Sequence, residues 1–212
     1  MKKRCVIVAG GDCFLSETEL ITESDFVIAA DSGLNILLET GHRPNLVVGD
    51  FDSFSGTVPG DIEIIKLPVQ KDDTDLLFAA RTGVERGFFD FLILGGYGSR
   101  PDHNFAMYST LLWLASNYPK TKAMAVSKDL SVTVISNSSA EFEVETDEYF
   151  SVFAFGKEAL GVTIKGADYE LTDAVLTADF PVGVSNCNSN GGPVSVSVKN
   201  GNLLIFKLKK NI

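Results

Sequence analysis

Short apolar runs alternating with helical stretches constrain this chain more than any other feature. Residues 4–9 read as a buried strand stopped by Gly10-Gly11, and Phe26-Val27-Ile28-Ala29-Ala30 as a second, ending at Asp31-Ser32-Gly33. A short helix, Leu34 to Thr40, follows, with Gly41 at its C-terminal cap and Pro44 just beyond. Leu46 to Val48, Ile62 to Ile65, Phe91 to Leu94 and Ala123 to Val126 supply four more strands. Between them the pattern predicts a helix after Lys71-Asp72-Asp73-Thr74-Asp75, closed near Gly87, and another from His103 to about Asn117. Phe105, Leu111, Leu112 and Leu114 mark that second helix as largely buried. Continuous apolar strands alternating with helices imply a parallel α/β sheet covered on both faces. In such sheets ligands bind beyond the carboxyl ends of the strands.

From about residue 130 the pattern changes to polar–apolar alternation, as in Glu141-Phe142-Glu143-Val144 and Val194-Ser195-Val196-Ser197-Val198. Asn200-Gly201, ahead of Leu203-Leu204-Ile205-Phe206, predicts a type I′ hairpin joining the last two runs. No long amphipathic helix interrupts this part. The expected fold is therefore an N-terminal parallel α/β (Rossmann-like) domain over residues 1–128, followed by a C-terminal antiparallel β-sandwich over residues 129–212.

Composition narrows the function classes. A formal net charge of −10 argues against nonspecific nucleic-acid binding and against an anionic membrane surface, and suits a cationic substrate. No apolar stretch approaches the length of a membrane span. The three cysteines, Cys5, Cys13 and Cys187, form no paired motif, as expected of a reducing cytoplasm. With two histidines, His42 and His103, a His-rich zinc site is excluded.

Acids recur where strands end. Asp31 follows the second strand, Asp50 and Asp52 the third, Asp72, Asp73 and Asp75 the fourth, and Asp102 the fifth. In an extended segment Asp50 and Asp52 lie on the same side of the chain, because strand side chains alternate. Adjacent carboxylates raise one another's pKa unless a cation lies between them, and Mg2+ prefers such oxygen ligands. The alternative is a polar turn or a set of helix caps, which fits Asp72 and Asp73 well. Gly95-Gly96-Tyr97-Gly98 precedes a helix N-terminus, a place that favours phosphate, and Arg100 adds a fixed cation. A tight strand–helix turn is the other reading of these glycines. Neither GxGxxG nor GxxxxGK[ST] occurs, so a dinucleotide fingerprint and a P-loop are both absent. His103 either contacts phosphate or caps its helix. A serine triad lacks its GxSxG elbow.

Five segments together resemble the thiamine pyrophosphokinase family, whose members move a pyrophosphoryl group from ATP to thiamine. They are Ala30-Asp31-Ser32-Gly33, Pro44 through Ser53 with its Gly49-Asp50-Phe51-Asp52-Ser53 core, Lys71-Asp72-Asp73-Thr74-Asp75, Gly98-Ser99-Arg100-Pro101-Asp102-His103, and Gly183-Val184-Ser185-Asn186. The resemblance implies an ATP-binding catalytic α/β domain, a thiamine-binding and dimerising β-sandwich, and a homodimer with thiamine between subunits. It implies Mg2+ on Asp50, Asp52 and Asp75, with Asp102 joining them as catalytic groups. It assigns nucleotide binding to Asp31, Lys71, Gly95, Gly98, Arg100, Asp102 and His103, and thiamine binding to Asp31, Ser185 and Asn186. The chain departs from the family pattern at Ser99, where a glycine is usual, at Met107, where an Asn is common, and at Cys187-Asn188-Ser189-Asn190. Two other functions fit the same residues: a diphosphokinase for another hydroxymethyl acceptor such as a pterin, and a noncatalytic nucleotide- or thiamine-binding regulator.

Overall fold

A computed structural model describes residues 4–13, 15–50, 60–68 and 72–210. Phe51, Asp52, Ser53 and Lys71 lie outside the described residues. The chain divides into two compact units, residues 1–110 with 120–128 and residues 111–119 with 129–212.

In the first unit six strands run parallel: β1 (Cys5–Val8), β2 (Phe26–Ala30), β3 (Leu46–Gly49), β4 (Glu63–Lys66), β5 (Asp90–Leu94) and β6 (Lys122–Ser127). Their spatial order is β4-β3-β2-β1-β5-β6. β1, β3 and most of β2 and β5 are buried on both faces, which explains their unbroken apolar composition. β4 is more exposed and lies at the sheet edge, where Glu63 meets Arg86 at 2.5 Å.

Side-chain alternation divides the packing. Val6, Val8, Val27, Ala29 and Val47 pack with Leu34 and Leu37 of helix α2 (Gly33–Glu39). On the opposite face Gly83 of helix α3 (Asp75–Glu85) rides against Phe91 and Cys5, so close that a Cβ there would meet the Phe91 ring at 2.6 Å. Thr74 caps α3, its hydroxyl accepting from the Leu77 N–H at 3.1 Å. A four-residue helix, α1 (Leu15–Thr18), bridges β1 and β2. Helix α4 (Pro101–Asn117) starts two residues before His103, because proline is well suited to the first helical position, where its missing N–H costs nothing. Leu111 and Leu114 are fully buried, but Phe105 is 61% exposed, so the burial expected of Phe105 is wrong. It sits on the side of α4 away from those leucines, at a spacing that composition alone does not reveal.

The second unit is an antiparallel sandwich. One layer is β7 (Leu130–Ser136), β13 (Asn202–Lys209) and β9 (Glu148–Ala154), with β13 in the middle. The other is ordered β11-β10-β12-β8, from β11 (Leu171–Thr177), β10 (Glu158–Lys165), β12 (Gly192–Ser197) and β8 (Ser139–Val144). Phe150, Val152, Leu203 and Ile205 of the first layer interlock with Val144, Val162, Ile164, Val194 and Val196 of the second. Phe142 meets Phe150 edge-on at 5.6 Å between centroids.

The hairpin expected at Asn200-Gly201 does not form. β12 and β13 belong to different layers, and the Asn-Gly pair is the corner between them. Gly201 adopts φ +111, its N–H donates to Asn137 Oδ1 at 2.8 Å, and its carbonyl accepts from the Asn137 N–H. Leu160 N–H donates to the Asn200 carbonyl at 2.7 Å. The backbone freedom that suits Asn-Gly to a tight hairpin suits it equally to a corner, and the layers' cores decide between them. β10 and β11 were not identifiable from alternation, since their pairing is broken by irregularities at Leu160/Val162 and Val162/Ile164.

Candidate active site

The strand order reverses beside β1: β2 lies on one side and β5 on the other, and chain connections leave in opposite directions. Such a switch point opens a crevice at the carboxyl ends of the strands. Here it holds a cavity of about 420 Å3. Its walls are the loop Ala9–Asp12 after β1, Ala30–Ser32 after β2, Thr74–Leu76 at the start of α3, Gly95–Arg100 after β5, and His103, Asn104, Ala106 and Met107 of α4.

Glycines make the crevice because two backbones meet there. Gly11 N–H donates to the Gly95 carbonyl at 2.8 Å, and Asp12 N–H donates to that of Tyr97. A Cβ on Gly11 would lie 2.0 Å from the Tyr97 carbonyl oxygen. Gly95 turns the β5 loop at φ +61, with the Ala9 carbonyl 2.4 Å from where its Cβ would be. Asn104 closes the same loop, its Oδ1 accepting from Gly98 N–H and its Nδ2 donating to the Gly98 carbonyl, both at 3.1 Å.

Asp31 stands at the end of β2 in a left-handed conformation, φ +49, which costs a non-glycine residue about 1 kcal/mol. Its N–H donates to the Val48 carbonyl at 2.8 Å, and Gly49 passes so near that a Cβ would meet Asp31 Cα at 3.1 Å. The end of β3 thus holds Asp31 in this conformation. Asp75 enters the cavity from the first turn of α3, where the helix dipole favours its charge.

Asp31, Asp75, Gly95, Gly98, Arg100 and His103 all line this one cavity. Asp50, directly after β3, and Asp102 are not among its lining residues. Asp102 is exposed and forms an ion pair with Arg100 at 2.5 Å. The guanidinium, by hydrogen bond and charge, holds the Asp102 carboxyl below its usual range, and Asp102 raises Arg100 in turn. Tyr97, half-buried in the cavity wall beside Tyr108 at 6.1 Å between centroids, has its phenol pushed up by desolvation first and then by Tyr108.

In the second unit Ser185 and Asn186 have different roles. Residues 183–186 run along β9: Val152 N–H donates to the Gly183 carbonyl and Phe150 N–H to that of Asn186, each at 2.8 Å. Asn186 is buried, and its amide is committed within the protein. Nδ2 donates to the Tyr169 carbonyl at 2.7 Å, while Oδ1 accepts from the N–H groups of Tyr169 and Cys187. Ser185 is exposed in a left-handed conformation, φ +57, its N–H donating to Ser151 Oγ at 3.0 Å.

The side chains lining the cavity offer oxygen donors, the carboxylates of Asp12, Asp31 and Asp75 among them, which suits a hard divalent cation and no soft one. Among the described residues no three His, Cys, Asp or Glu side chains are gathered as metal ligands. Gly10, Gly11, Asp12 and Asn104 also line the crevice, though no motif in the sequence marks them as site residues. The available signal was the Gly10-Gly11 pair directly after the first strand, but it marks a site only once β1 is known to border the switch point.

Residues 18–124 match the family model for the thiamin pyrophosphokinase catalytic domain, and residues 135–203 that for the thiamin pyrophosphokinase vitamin B1 binding domain. The chain is 28% identical over 190 residues to a thiamine pyrophosphokinase of Bacillus subtilis (strain 168), covering 85% of this chain and 87% of that one. In fold it is similar to the crystal structure of thiamine pyrophosphokinase from Bacillus subtilis, with TM-score 0.88 at 23% identity over 98% of this chain and 99% of that one. The Geobacillus thermodenitrificans structure gives TM-score 0.84 at 23% identity, with 98% of each chain covered. Two family domains in order, on a crevice of glycine loops and carboxylates at the switch point, lead to one assignment: the chain belongs to the thiamine pyrophosphokinase family of enzymes.

Proposed function

We propose that the protein transfers a pyrophosphoryl group from Mg-ATP to the hydroxyl of thiamine, giving thiamine diphosphate and AMP. The observation that carries this reading is the cavity between the β1 and β5 loops, where close backbone glycines, Arg100 and the carboxylates of Asp31 and Asp75 meet at a helix N-terminus. Glycine backbone and a helix start suit phosphate oxygens, and carboxylates suit the accompanying cation.

Mg2+ would be held by Asp50, Asp52 and Asp75, where it supplies neutralisation of phosphate charge. The chain's own residues do the positioning. The Gly95–Gly98 loop and Arg100 hold phosphate oxygens, with His103 beside them, and Asp102 orients the Arg100 guanidinium through their ion pair; Lys71, outside the described residues, is a further nucleotide-binding residue by the family resemblance. Asp31, kept in place by Gly49, faces the reacting groups. The thiamine hydroxyl then attacks the β-phosphorus directly, with no covalent enzyme intermediate, so catalysis is alignment plus charge compensation. Thiamine's cationic thiazolium suits a chain of net charge −10. Ser185 is the exposed polar side chain of its segment, open to thiamine, while Asn186 shapes the segment from within.

We further propose a homodimer in a reducing cytoplasm. Exposed Tyr169, Phe180, Val182 and Val184 lie along one stretch of the second unit, as an interface between copies would use. Cys5, Cys13 and Cys187 form no disulfide. Among the described residues no helix is long and apolar enough to cross a membrane.

Product analysis with Mg-ATP and thiamine tests the reading, because AMP distinguishes diphosphotransfer from simple phosphorylation, which releases ADP. A pterin acceptor run in parallel tests the acceptor. Asp75→Ala and Asp52→Ala are expected to abolish AMP release while thermal melting stays cooperative. Near-normal turnover in both variants would sink the assignment.

A further inference from the structure

Resting on the nucleotide reading of the cavity, we propose that Asn104 is a positioning residue for the phosphate-binding loop, acting through Gly98. Asn104 lies in the first turn of α4, and its N–H donates to the Arg100 carbonyl at 3.2 Å. Its side chain turns back on the loop that precedes the helix. The amide grips both backbone groups of Gly98, accepting from the N–H and donating to the carbonyl, each at 3.1 Å. The orientation of the amide follows from chemistry, since an N–H only donates and a carbonyl only accepts.

The grip has consequences across the cavity. Gly98 lies against the β1 loop, where a Cβ on it would meet Gly11 Cα at 3.5 Å. Gly11 and Asp12 are bonded to Gly95 and Tyr97, the residues just ahead of Gly98. Backbone bonds therefore hold the start of the β5 loop, and Asn104 holds its far end. Ser99 and Arg100, directly after Gly98, have their backbone direction set by that end. Met107, one turn further along α4, cannot grip the loop in this way, being buried and apolar, and a Cβ on Gly96 would meet its Cγ at 3.1 Å. An amide is needed at position 104 because one small side chain must present a donor and an acceptor side by side. Ala offers neither, and Asp offers two acceptors, one of which faces the Gly98 carbonyl.

The test uses the full chain with Asn104→Ala and Asn104→Asp. Asn104→Ala is expected to raise KM for ATP about tenfold, the scale of one to two lost hydrogen bonds, with KM for thiamine unchanged. In the ligand-free protein, hydrogen–deuterium exchange over residues 95–100 should quicken, which loss of a simple ligand contact would not cause. Asn104→Asp should weaken ATP at least as much, because it also brings a negative charge toward the phosphates, and it serves as the second variant if the alanine protein does not fold. Unchanged KM for ATP, or unchanged exchange over 95–100, overturns the proposal. If the wild-type protein releases no AMP, the functional reading falls instead. ATP affinity by calorimetry and the exchange measurement then decide the clamp without turnover.

Discussion

Gly11→Ala is the most direct probe of how the crevice is built. Gly11 joins the β1 loop to the β5 loop at the point where both walls of the cavity meet. Its new methyl would lie 2.0 Å from the Tyr97 carbonyl oxygen and 2.6 Å from that of Gly95. Both obstacles are backbone, so no side chain can swing aside. To regain ordinary contact at 3.4 Å the Tyr97 carbonyl has to retreat by about 1.4 Å. That displacement breaks the Gly11–Gly95 and Asp12–Tyr97 hydrogen bonds. At about 1 kcal/mol each, the loss is about 2 kcal/mol, equivalent to about 4–8 °C in melting temperature for a chain of this size. Function suffers more, because misplacement of a positioning group by about 1 Å can cost on the order of a hundredfold in rate. The assay is AMP release with Mg-ATP and thiamine, read beside thermal melting. Gly60→Ala is the control, since among the described residues a Cβ there meets nothing within 4 Å. Gly11→Ala with both wild-type turnover and wild-type melting would refute the account of the crevice as two backbones in forced contact.

Two further outcomes follow from the second unit and from the core. Asn186→Ala strands the Tyr169 carbonyl and the N–H groups of Tyr169 and Cys187, so it should lower unfolding free energy by about 1–3 kcal/mol, read by denaturant titration; unchanged stability with a raised KM for thiamine would show instead that its amide serves the substrate. Burial pushes the fully enclosed Cys5 thiol from its ordinary 9.0 up to about 12. The folded state then holds that proton more tightly than the unfolded chain, so the contribution is fully present below pH 9 and is lost as pH rises toward 12. Melting temperature should fall across that window, and Cys5→Ala should flatten part of the fall.

Reading the residues in order went far with the first unit. Its four central strands, β3, β2, β1 and β5, are buried on both faces, so their apolar runs stand out without knowledge of their partners, and Gly41, Thr74 and Gly87 mark helix ends by local backbone chemistry. The second unit was less legible. Asn200-Gly201 has the local chemistry of a hairpin, yet it turns a corner, because Val194 and Leu203 have their partners in opposite layers. Phe105 shows the same limit on a helix: its apolar character says nothing about which face it occupies.

The crevice divides along the same line. That carboxylates and glycines end the parallel strands is local information, carried by Asp31, Asp75 and Gly95 in the order of the chain. Sequence by itself therefore determined the α/β class, the strand-end position of the acids and the family resemblance. Tertiary structure alone decided that the order is β4-β3-β2-β1-β5-β6, which brings Gly10-Gly11 opposite Gly95–Gly98. It also decided that Asn104 grips Gly98, that Arg100 carries Asp102 with it, and that the Asn186 amide is spent on Tyr169 and Cys187. The physical reason is that strand order and side-chain partners are set by long-range burial, and a residue's own chemistry does not record which distant backbone will lie against it.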